Sequence, residues 1–145
     1  MTLVPELYVS DLARSLRFYV DLLGFGVDYQ RPEEGFAAVS LEGGRLMLEA
    51  FTSRAPASDA EFEQGRWRTG ELEYPLGRGV NFEFTVADIG PAHARHEQAG
   101  YPVKLDRHRK RYRVGDELFL VEQFLVLDPD GYLIRLAQGL GTEPL

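Results

Sequence analysis

His93 and His96 are the closest approach in this sequence to a ready-made metal pair, because side chains three residues apart share one face of a helix. Two histidines without a third ligand make a weak site. No cysteine is present to complete a thiolate site or to serve as a nucleophile. Trp67, the one tryptophan, stands beside Arg66 and Arg68, with Tyr74 a short way on. Aromatic faces attract flat or cationic ligands by stacking and cation–π contact, each worth roughly 0.5 to 2 kcal/mol, although a tryptophan here serves equally well as a lid over a core. The run KLDRHRKRYR, Lys104 to Arg113, sets six basic residues against one aspartate. Such a run can clamp a carboxylate or phosphate, but beside a hairpin turn it is better read as a solvated strip.

The bulk properties narrow the partners. Sixteen basic and twenty-three acidic residues leave a net charge of −7, which disfavours nucleic acid and attracts a cationic ligand. The chain has no run of roughly 18 apolar residues of the kind a membrane span needs, so a soluble protein is expected, and the lack of cysteine suits the cytoplasm. At 145 residues it fits one ordinary domain.

The residues are positioned by an internal repeat. VPELYVSDL (Val4 to Leu12) lies on NFEFTVADI (Asn81 to Ile89) without a gap, so that Glu6 falls on Glu83 and Asp11 on Asp88. Each copy opens as an alternating strand and reaches an aspartate suited to cap a helix. Leu12, Leu16, Tyr19, Val20 and Leu23 predict one apolar helical stripe, closed by Gly24. Ile89, Ala92, His93, His96 and Ala99 mark the inner face of the second helix, which makes structural roles the expectation for both histidines. Strands are expected at 26–30, 36–41, 44–51, 103–106, 118–127 and 132–137. On the long strand before Leu127, one of the neighbours Glu122 and Gln123 faces a cleft and the other faces out. The fold class is therefore α+β, with two βαβββ modules, 1–51 and 80–145, forming curved mixed or antiparallel sheets around a cleft. Residues 52–79 connect them, with a short helix expected around Asp59 to Trp67.

The first strand followed by VSDLARSLRFYVDLLGF, together with the C-terminal FLVLDPDGYLIRL, resembles the vicinal-oxygen-chelate superfamily of glyoxalases, bleomycin resistance proteins and extradiol dioxygenases. PLGRGVNFEFTVADI is similar to a bleomycin-resistance-like branch. The resemblance covers nearly the whole chain. It implies a divalent metal held by one side chain from the first and one from the last strand of each half, and those positions read here as Val4, Glu49, Asn81 and Arg135. Valine donates nothing, a lone amide oxygen is weak, and a guanidinium stays protonated, so no metal and no other cofactor is expected, and Glu49 and Arg135 are expected to pair with each other instead.

The same resemblance places Asp28, Tyr29 and Phe36 where bleomycin resistance proteins offer an acid and aromatics to a bulky cationic antibiotic. With Glu49, Trp67, Gln123 and Arg135 they form the expected ligand surface. The expected function is sequestration of a small molecule, such as a bleomycin-like antibiotic, by a cytoplasmic homodimer. The alternative is a metal-dependent lyase, isomerase or dioxygenase with unusual ligands drawn from Glu6, Glu49, Glu83 or a histidine.

Overall fold

The computed structural model describes residues 2–51 and 69–145. The helix expected around Asp59 to Trp67, and Trp67 itself, lie outside the described residues. The chain forms two compact units, Met1–Leu76 and Gly77–Leu145, each built on an open, mixed four-stranded sheet.

In the first unit, β1 (Glu6–Val9) leads to a short helix α1 (Leu12–Leu16), which continues in π-helical form over Arg17–Leu22. Three strands follow, β2 (Gly26–Arg31), β3 (Phe36–Leu41) and β4 (Gly44–Ala50), in the spatial order β1-β4-β3-β2. β1 runs parallel to β4 and the other pairs are antiparallel. Asp11 caps α1 as expected, its carboxylate accepting from Arg14 N at 3.1 Å. The wide turn then changes the helix's phase, because Leu23 N donates to Phe18 O five residues back. The buried residues are consequently Ser15, Phe18, Tyr19 and Leu23, while Leu12, Leu16 and Val20 of the expected stripe are only half-buried. Tyr19 packs edge-on against Phe18 at 4.9 Å and Phe25 at 5.4 Å. Gly24 turns the chain at φ 91°, a conformation that costs glycine little.

The second unit repeats the plan with β5 (Asn81–Thr85), α2 (Gly90–Ala99), β6 (Leu105–Val114), β7 (Glu117–Leu127) and β8 (Leu133–Pro144), in the order β5-β8-β7-β6. Again the first and last strands are parallel and the rest antiparallel. The expected cap at Asp88 is displaced by one residue. Ile89 holds the cap position with its N–H on Gln138 Oε1 at 3.1 Å, and Asp88 accepts from Gly90 N at 2.8 Å. Ile89, Ala92 and His96 are buried, but Ala99 is exposed. Both histidines have structural partners. His96 Nδ1 donates to Ala92 O at 2.8 Å and its ring lies edge-on to Phe124 and Tyr101; burial pushes its pKa down. His93 bonds Asp106 at 2.7 Å, and that contact holds the aspartate below the usual carboxylate range.

β6 and β8 run much further than their sequence suggested. The basic run read as a solvated strip is a ten-residue edge strand, and β8 passes Ala137 to reach Pro144. Cross-strand charge explains the strand at such low apolar content: Arg107 bonds Glu122 at 2.6 Å, Arg109 lies 3.7 Å from the same carboxylate, and Arg111 bonds Glu143 at 3.0 Å. Opposite charges across a pair support a sheet, and a charged edge resists unwanted strand addition.

The DPDG turn between β7 and β8 is organised by one carboxylate. Buried Asp128 accepts from Asp130 N and Tyr132 N, both at 2.9 Å. Asp128→Ala leaves two buried N–H groups without that acceptor and is expected to cost about 2 to 3 kcal/mol, whereas Asp11→Ala removes an exposed cap worth about 1 kcal/mol. Urea unfolding of the two variants checks both the size and the order of the effects.

Candidate functional site

Strand alternation divides each sheet into a face buried against its helix and a second face. In the first unit Leu7, Val9, Val39, Leu46 and Leu48 are buried toward the helix, and the pairing register puts Glu6, Tyr8, Tyr29, Phe36, Ser40, Arg45, Met47 and Glu49 on the other side. Asp28 sits at a bulge between β2 and β3, the extra residue between Val27 and Tyr29. Its carboxylate accepts from Ser40 Oγ at 2.8 Å and Arg45 Nε at 3.0 Å, so the expected ligand acid is engaged within its own sheet.

Tyr29 and Phe36 stack with ring centroids 5.9 Å apart and planes 30° from parallel. Tyr29 is 45% exposed and Phe36 only 4%. The guanidinium of Arg31 lies 4.0 Å from the Phe36 centroid and 5.9 Å from that of Tyr29, and it bonds Glu34 at 2.6 Å. The protein's own cation therefore rests on Phe36, and the open aromatic surface is that of Tyr29. Residues 1–51 hold eight acidic and four basic side chains, so this module is the more acidic one. Glu49, half-buried beside it, has its pKa pushed up to about 7, chiefly by burial and then by hydrogen bonding to Glu6 and the charges of Glu6 and Glu34. A carboxyl drawn out of water beside other negative charges holds its proton more tightly than a free one.

In the second unit the corresponding face carries a polar row. Glu83 of β5 lies opposite Arg135 of β8, and Arg135 Nη2 donates to Glu83 at 3.2 Å. Gln123 of β7 lies opposite His108 of β6, with Gln123 Nε2 3.1 Å from His108 Nε2 and 2.8 Å from Tyr112 Oη. Gln123 is buried, while its neighbour Glu122 faces the opposite side and holds Arg107 and Arg109.

These positions correct the expected ligand geometry. Glu49 and Arg135 each have a partner inside their own unit, Glu6 and Glu83 respectively. They are also not equivalent in the repeat. Met47 pairs with Glu6 as Arg135 pairs with Glu83, so Met47 is the counterpart of Arg135, and Glu49 corresponds to Ala137. The donor set implied by family resemblance thus contains Val4, Asn81, a permanently protonated Arg135 and either Glu49 or the thioether of Met47. Such a set does not fit a hard divalent ion. Among the described residues, no three histidine, aspartate or glutamate side chains are grouped to hold a metal.

A family model described as the Glyoxalase/Bleomycin resistance protein/Dioxygenase superfamily matches residues 3–136. A solved glyoxalase/bleomycin resistance protein/dioxygenase superfamily member from Vibrio splendidus 12B01 is 38% identical, with 93% of this chain and 95% of that one covered and a TM-score of 0.41. TioX from Micromonospora sp. ML1 is 19% identical over 97% of this chain and 99% of its own, with a TM-score of 0.66. A lactoylglutathione lyase from Agrobacterium tumefaciens is 21% identical over 95% and 92%, with a TM-score of 0.58. The last two establish likeness of fold alone. No curated protein matches.

Glu49 sets a pH dependence. The folded chain holds the Glu49 proton up to about pH 7, while an unfolded glutamate loses it near about 4.3, so stability declines as the pH rises between those values. Glu49→Gln is expected to remove that decline and to be more stable than the parent at pH 8 by on the order of 1 kcal/mol, allowing for solvent screening, with little difference at pH 4. Thermal unfolding across that range measures it; parallel curves for the two proteins would show that Glu49 does not hold its proton above the usual carboxylate range.

Proposed function

We propose that this chain, which belongs to the glyoxalase/bleomycin resistance protein/dioxygenase superfamily, binds a flat, cationic small molecule and holds it without transforming it. The observation that carries this reading is the stacked Tyr29–Phe36 pair set among Glu6, Glu34 and Glu49. An aromatic face bordered by carboxylates attracts a planar cation through cation–π contact and Coulomb attraction together, and the net charge of −7 acts in the same direction at longer range. The arginine at one family ligand position argues against metal-assisted catalysis, because an unremovable positive charge repels the ion that would do the chemistry. A bleomycin-like glycopeptide is the specific ligand we favour, taken up by a cytoplasmic homodimer.

Arg31 makes the reading testable. Since its guanidinium occupies Phe36, Arg31→Ala both uncovers the ring and removes a repelling charge, so affinity for bleomycin is expected to rise about fivefold, equivalent to roughly 1 kcal/mol. Tyr29→Ala is expected to lower it by at least as much. Calorimetric titration of purified protein with bleomycin reads both. Absence of heat at micromolar concentration removes bleomycin as the ligand, and weaker binding by Arg31→Ala removes the cationic class.

A metal-dependent lyase, isomerase or dioxygenase is the second reading, favoured by the convergence of Glu6 and Glu49, two carboxylates able to face a cation. Elemental analysis after mild purification separates the two: about one zinc, iron, nickel or manganese per chain would replace the first reading with the second. For the assembly, sedimentation at tens of micromolar is expected to give twice the 16.4 kDa of one chain; a boundary at 16.4 kDa alone would rule out the dimer.

A further inference from the structure

The polar row of the second unit contains two buried atoms that have no hydrogen-bond partner among the described residues. Gln123 is 3% exposed, and its orientation follows from its neighbours. His108 Nδ1 lies 2.8 Å from Asp106 O; a carbonyl only accepts, so Nδ1 carries the proton and in the neutral ring Nε2 is left as an acceptor. Gln123 Nε2 therefore donates one hydrogen to His108 Nε2 and the other to Tyr112 Oη. Both amide hydrogens are spent, the side chain cannot turn over without losing them, and Oε1 is left buried with no hydrogen-bond partner among the described residues.

One strand away, Arg135 spends Nη2 on Glu83, while its Nε–H is likewise buried and without an acceptor among the described residues. The register makes Gln123 and Arg135 diagonal neighbours, since Gln123 pairs with Ala137 and Leu125 with Arg135. Both project from the face opposite Phe124 and Leu136, which are buried on the helix side. Leaving one buried acceptor and one buried donor unmatched costs a fold about 1 to 3 kcal/mol each, and two such atoms on diagonal positions of one sheet face are a pair that a single outside group could satisfy.

We infer that this face is a binding site for the amide group of a small molecule, with Gln123 Oε1 accepting from the amide N–H and Arg135 Nε–H donating to the amide oxygen. The chemistry discriminates among functional groups. A carboxylate offers no donor to Gln123, and its charge gains less here because Glu83 already offsets Arg135. An ammonium offers no acceptor to Arg135. A primary or secondary amide, or a carbamoyl group, supplies both. The inference does not depend on the aromatic surface of the first unit and concerns a different sheet.

Benzamide, benzoate and benzylammonium share one phenyl ring and differ in the polar group it carries, which makes them suitable probes. Their titration into the wild-type protein is read by nitrogen-15 NMR at the Arg135 Nε–H and the Gln123 side-chain amide. Benzamide is expected to shift both signals saturably at millimolar concentration, and the other two to bind about tenfold more weakly. Gln123→Leu and Arg135→Met are each expected to weaken benzamide about tenfold, with the backbone spectrum reporting that each variant is folded. Because the wild-type signals need no variant, the test stands even if one fails to fold. Signals that do not move, as expected if only water meets these atoms, overturn the inference. So does an equal response to all three probes, or a preference for benzoate. The bleomycin titration is calorimetric and turns on Tyr29 and Arg31 of the first unit instead, so either reading can fail while the other survives.

Discussion

Parallel pairing of the first strand with the last in each half is the constraint on which the remaining structure depends. A parallel pair cannot be joined by a tight turn, so the chain must leave β1, cross by way of a helix and return through two antiparallel strands before β4 can lie beside it, and β5 and β8 repeat that route. The crossover helix covers one face of its sheet. Phe18, Tyr19 and Leu23 in the first unit, and Ile89, Ala92 and His96 in the second, are the residues its burial consumes.

Because strand side chains alternate, the same pairing decides what is left for chemistry. Residues two apart share the second face, and the parallel register states which of them meet. Glu6 meets Met47 and Glu83 meets Arg135. One scaffold position thus carries a neutral thioether in the first unit and a permanent cation in the second. The consequences differ accordingly. The glutamate beside the thioether faces Glu49 and helps to raise its pKa, whereas its counterpart is drawn into an ion pair with Arg135.

Burial sets the weight of these contacts. The pairs of Arg31 with Glu34 and Arg111 with Glu143 have both side chains well exposed, so solvent screens them and each serves mainly to keep edge strands soluble and specific. The Gln123 network is sheltered, and there an unmet hydrogen bond costs more than a met one contributes. The cation resting on Phe36 belongs to the first category energetically, but it controls which aromatic surface remains open.

Much of the fold was legible in the sequence. The gapless match of Val4–Leu12 with Asn81–Ile89 established two copies of one unit, alternating residues marked the strands, and Asp11 and Gly24 marked the ends of the first helix, because caps and turns are local requirements of a few neighbouring residues. Structural roles for His93, half-buried, and His96, buried, followed from helical spacing. The length of β6 and β8 did not, since Arg107, Arg109 and Arg111 look like a solvated run until Glu122 and Glu143 are brought beside them by strand pairing. Nor did the equivalence of Arg135 with Met47 instead of Glu49, which is a matter of register, or the engagement of Asp28 by Ser40 and Arg45. The amide orientation of Gln123 required His108 and Tyr112 from another strand. Local chemistry is written in consecutive residues, whereas the partner of a strand side chain lies on a neighbouring strand, and only the tertiary pairing selects it.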